Sequence, residues 1–204
     1  MRAVTTPLDR DVDLNDVARG DGTLFVREGA GFAGRGEAAR VPIDEAAGFL
    51  AAIEHADRLG GTPGPVALGA VPFLPGSAAE LIVPAVLVGK DGTGRAWITR
   101  IDDADEPLEP DVEPSPRASA YSIRPLVDVD HYLAAVAAAR DAVRDGQMDK
   151  AVIARPILVE CDVPIDLLAV LRRLKATFGA TYRFSVDGFF GASPELLVAV
   201  DGDT

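Results

Sequence analysis

Apolar and polar positions change period several times along the chain, and each change marks an element. GTLFVRE (22–28) reads as a strand and ARVPI (39–43) as another. Between them, Gly29, Gly31 and Gly34 stand in a G-x-G-x-x-G spacing. A dinucleotide loop needs those glycines to open a helix directly. Here another glycine and a strand follow, so a glycine-rich hairpin is expected. Asp44 can cap a helix over EAAGFLAAIEHADRLG (45–60), with Leu50 and Ile53 inward and His55 on its polar side. GPVALGAVPF (64–73) reads as a buried strand followed by a proline-containing turn. AELIVPAVLVG (79–89) is a second apolar run that Pro84 breaks into an edge or bulge, and RAWITRI (95–101) returns after the KDGTG turn.

The pattern then stops. DDADEPLEPDVEPSPRA (102–118) is acidic, proline-rich and aperiodic, so it is expected to be an exposed linker between a lobe of residues 1–101 and a region from 119 to 204. Beyond it, Asp130 can cap a helix through about Asp145, where Tyr132, Val136, Ala139 and Val143 form one stripe and Gly146 is the stop. KAVIARPILVE (150–160) reads as a strand. Asp166 or Pro164 starts another helix, with Leu167, Leu171, Leu174 and Phe178 on one side. ATYRFSVD, GFFGAS and ELLVAV (180–187, 188–193, 195–200) read as closely spaced strands. The expected class is α+β, with antiparallel strands and about three main helices.

Composition narrows the functional classes. Apolar residues make up 48% of the 204, enough to bury a core. The net charge of −12 argues against nucleic acid or an anionic membrane as partner. One cysteine, Cys161, allows no internal disulfide, and no apolar run approaches the roughly 20 residues of a membrane span. With no secretory signal read at the start, a cytoplasmic setting is expected. No Cys/His metal spacing, phosphate loop or nucleophile elbow is present.

Two residues have candidate chemistry. In GQMDKAVIAR (146–155), Lys150 on an alternating strand would share a face with Val152 and Ala154. Partial desolvation there disfavours the ammonium, which is how a lysine becomes a general base. An ordinary hydrated strand-end lysine is the simpler reading of that stretch alone. In FFGASPELLV, Glu195 follows small residues and Pro194. Among apolar runs its carboxyl could be held protonated and act as an acid, although a glutamate after proline is commonly an exposed turn residue.

Taken together, ALGAVPFLPGSAAELIVPAVLV (67–88), MDKAVIARPI (148–157), TYRFSVD (181–187) and FFGASPELLVAVDG (189–202) resemble the chorismate-utilising enzymes, and within them the isochorismate synthases. The resemblance implies part of a large layered fold, with 119–204 as the first part of its catalytic domain. It implies Lys150 as the base that activates water for attack on C2 of chorismate, and Glu195 as the acid that protonates the departing C4 hydroxyl. It also implies Mg²⁺, with ligands in a later region that this chain does not reach. By the same resemblance the chain is a truncated front part, inactive alone and open to association through uncovered surfaces. The product would feed menaquinone, siderophore or salicylate formation. Ammonia-using relatives generally lack the lysine. Salicylate synthase is the second reading, and a non-catalytic interaction domain is the rival from another class.

Overall fold

The computed structural model describes residues 1–74, 76–110, 116 and 118–200. The chain forms two compact units, one of residues 1–113 and 166–204, the other of residues 114–165.

The first unit is built on one eight-stranded sheet that draws on both ends of the chain. In chain order its strands are β1 (Arg2–Pro7), β2 (Thr23–Arg27), β3 (Ala30–Arg35), β5 (Glu54–Asp57), β7 (Val86–Lys90), β8 (Ala96–Ile101), β11 (Tyr182–Val186) and β12 (Phe189–Ser193). They lie in the order β12-β11-β2-β3-β7-β8-β1-β5. Every pairing is antiparallel except β1 with β5. A two-stranded sheet of β4 (Ala39–Pro42) and β6 (Glu80–Val83) accompanies it. The α+β class is therefore observed, with four helices among the described residues.

Turn chemistry sets two of the hairpins. Glu28–Gly29 joins β2 to β3 and Asp187–Gly188 joins β11 to β12, all four residues at positive φ. Two-residue loops with positive φ at both positions match the twist of the flanking strands, and glycine takes the second position without steric cost. The glycine-rich stretch is thus a hairpin, as expected. Pro84 divides the 79–89 run between two sheets: β6 pairs with β4, while β7 enters the large sheet.

Period-2 alternation points Leu24 and Val26 of β2 toward the helices α1 (Leu14–Ala18) and α4 (Leu167–Thr177). Leu14, Val17, Ala18 and Leu171 close that core over Ala33, Val86, Val88 and Ile98. Asp13 caps α1 through the Asn15 N–H, and Asp166 caps α4 through the Ala169 N–H. A second cluster gathers Ala3, Val41, Ile53, Val83 and Ile101 near α2 (Ala46–Ala51).

Four expectations are corrected. The helix over 45–60 stops at Ala51, and Asp44 gives it no cap; the N-cap Glu45 makes no side-chain bond either. Residues 54–57 instead form β5, because β1 offers their backbone a parallel ladder. Residues 64–73 form no strand beyond one bridge, Leu68 to Ile82, and Phe73 is 99% exposed. Pro65 and Pro72 each remove a ladder donor. The acidic segment is not wholly exposed: Leu108 is buried in the main core, and Arg19 donates to the carbonyls of Pro107 and Glu109. Its residues 111–115 and 117 lie outside the described residues. Lastly, ELLVAV (195–200) is irregular, with Leu197 95% exposed.

The second unit holds β9 (Tyr121–Pro125) paired antiparallel with β10 (Ile157–Cys161), and helix α3 (Val129–Arg144). Asp128, not the expected Asp130, caps α3: its carboxylate accepts from the Asp130 N–H, and Gly146 ends the helix at positive φ. No residue of α3 is buried. No helix among the described residues is long and apolar enough to cross a membrane.

Candidate functional site

Lys150 belongs to the second unit and Glu195 to the first. Lys150 follows the Gly146 stop in an irregular stretch that runs to Pro156; the expected strand over 150–160 begins only at Ile157. No strand among the described residues pairs with 150–156. Pro156 carries no donor, and its carbonyl accepts from the Leu126 N–H where the β9–β10 ladder ends. Lys150 is exposed, Val152 is 86% exposed, and Ala154 is exposed. The apolar face that was to desolvate the amine is therefore not formed.

Lys150 does line an open cleft of about 650 Å³. Its floor is the α3 stripe read from the sequence: Tyr132, Val136, Ala139 and Val143. Arg140 joins the wall, and the Arg155 guanidinium lies 5.4 Å from the centre of the Tyr132 ring. Arg140 is committed to Asp141, which holds its guanidinium above the ordinary arginine range. The cleft thus combines an amine, an apolar floor and cationic rims, a lining suited to an organic anion.

Glu195 stands just past β12, where Pro194 ends the ladder with β11. Its N–H donates to Ser193 Oγ over 3.2 Å, and its side chain is exposed. The apolar surroundings expected for its carboxyl are not formed among the described residues.

Mg²⁺ is the ion implied by the resemblance. Among the described residues no three His, Cys, Asp or Glu side chains gather at one point. The described residues do not fit the ion.

One charged group in a cavity escaped the sequence reading. Arg183 of β11 pairs in register with Val26, so it faces the helix-covered side and is 1% exposed. The signal was present in TYRFSV: Tyr182, Phe184 and Val186 alternate to one face, which leaves Arg183 and Ser185 on the other. The aromatics suggest that theirs is the inner face. In fact the face of Arg183 is covered by α1 and α4.

The family model for chorismate binding enzymes matches residues 62–204 and spans both Lys150 and Glu195. The chain belongs to the chorismate binding enzyme family. Among curated relatives, isochorismate synthase MenF of Bacillus subtilis strain 168 is 30% identical over 148 residues, 63% of this chain and 31% of that protein. MenF of Mycobacterium tuberculosis strain H37Rv is 36% identical over 152 residues, 68% of this chain and 37% of that protein. The chain spans about a third of the length of the curated relatives it matches. A crystal structure of DhbC from Bacillus anthracis shares the fold, with a TM-score of 0.61 at 22% identity over 93% of this chain and 49% of that one.

Proposed function

We propose that this chain carries part of an isochorismate synthase, with Lys150 as general base and Glu195 as general acid. The supporting observation is the family match across both residues, together with the name of the Bacillus subtilis relative. In this reading Lys150 takes a proton from water as its oxygen bonds to C2 of chorismate. Both ring double bonds shift by one position, and Glu195 protonates the C4 hydroxyl as it leaves. Both tasks are needed, since water is a weak nucleophile and hydroxide a poor leaving group. The α3 floor of the cleft would lie against the ring. A magnesium requirement met by residues other than the described ones, a cytoplasmic setting, and association of the isolated chain through its exposed apolar side chains go with this reading.

In the full-length protein that contains this chain, Lys150→Ala should lower isochorismate formation by about 10²–10⁴-fold, with the thermal midpoint unchanged. Full activity in a folded Lys150→Ala protein would remove the base. For the isolated chain we expect no turnover of chorismate, because a base and an acid without the remaining substrate contacts do not fix the reacting geometry. Isochorismate formed by the isolated chain would overturn that expectation.

A further inference from the structure

A cavity of about 240 Å³ opens in the first unit, with Val12, Asn15, Val26, Lys90, Lys175 and Arg183 in its lining. Asp11 and Asp13 stand there too, and each is matched to a lysine. Lys90 Nζ lies 2.7 Å from Asp11, and Lys175 Nζ lies 2.6 Å from Asp13. Among the described residues Arg183 has no such match. Its Nη1 donates to the carbonyls of Gly179 (2.9 Å) and Thr181 (3.4 Å), while its Nε has no partner. Burial draws this guanidinium below the ordinary arginine range, with the Asp13 charge opposing. A buried cation whose only acceptors among the described residues are neutral carbonyls leaves an electrostatic vacancy for an anion.

The lining sets the anion's class. Three cations face two carboxylates, which favours a single negative charge. A guanidinium fork matches a planar carboxylate with two parallel bonds. Val12, Leu14 and Val26 add apolar wall, against which an inorganic ion has nothing to bury. The volume suits one small molecule and excludes a nucleotide.

We propose that this cavity binds a small organic monocarboxylate, its charge on Arg183 and its apolar body against Val12, Leu14 and Val26. The test is calorimetric titration of the full chain with sodium benzoate. Benzamide serves as the neutral isostere and inorganic phosphate as the competing oxyanion. Arginine Nε–H resonances are followed in parallel. Benzoate should bind saturably and move the Arg183 Nε–H, benzamide should bind at least about tenfold more weakly, and Arg183→Met should lose about tenfold or more in affinity. Equal affinity in Arg183→Met, an unmoved Arg183 resonance, or binding of phosphate but not benzoate would each overturn the assignment. If Arg183→Met does not fold, the resonance in the unaltered chain decides. The readout is binding, so a negative result leaves the proposed chemistry at Lys150 and Glu195 untouched.

Discussion

Trp97, the single tryptophan, packs across the ladder from Gly89, and it fits because Gly89 has no side chain. A Cβ at Gly89 would lie 2.2 Å from the indole. Gly89→Ala should therefore displace the ring and cost roughly 1–3 kcal/mol, read as a lower denaturation midpoint with red-shifted tryptophan emission. Asp13 gives a prediction in pH. Burial works to raise its pKa, but bonds from Lys175 and Asn15 outweigh it and hold the carboxyl below its ordinary value. The unfolded chain thus takes up that proton first as the pH falls. The stabilisation is complete above the unfolded value of about 3.9 and is lost as pH drops through the lower folded value. Thermal midpoints measured from pH 6 downward, a range chosen to bracket about 3.9, should fall less steeply for Asp13→Asn. At this scale local sequence singled out Lys150 and Glu195, and the family pattern gave them their roles. Neither conveyed their surroundings, because exposure depends on which segments lie alongside. Arg183 shows the converse: its alternation was readable, but which side of the strand would be roofed was not.

Helices α3 and α4 carry the same signature, an apolar stripe stepping by three and four, yet they differ in burial. Leu171 of α4 is fully buried against α1 and the sheet, whereas Val136 of α3 is 39% exposed over the open cleft. Leu171→Ala should cost about 2–5 kcal/mol, and Val136→Ala about 0.5 kcal/mol or less, both read by urea denaturation. The stripe predicts which side of a helix is apolar and leaves open what covers it. The hairpins were legible because Glu28–Gly29 and Asp187–Gly188 act locally. The short α1, the strand β1 and the switch from α2 to β5 were not, since each depends on a partner distant in sequence. Prolines were only half legible: Pro84 marked the break between sheets, while Pro156 delayed β10 and left Lys150 outside any strand.

In the whole molecule, the large sheet closes only when the second strand from the beginning meets the second strand from the end of the described chain: β11 pairs with β2 at Phe184 and Phe25. The family match from residue 62 onward therefore takes in β11 and β12 but not β2, the strand that pairs with β11. This joining has a consequence for how the protein is made. On the ribosome, β2 and β3 can zip together within microseconds of emerging, and β7 and β8 likewise. The open side of β2 must then wait while more than a hundred further residues are synthesised, at about 5–20 residues per second. For those seconds its hydrogen-bonding groups and Phe25 face solvent unguarded, and that interval is when a nascent-chain chaperone would matter most.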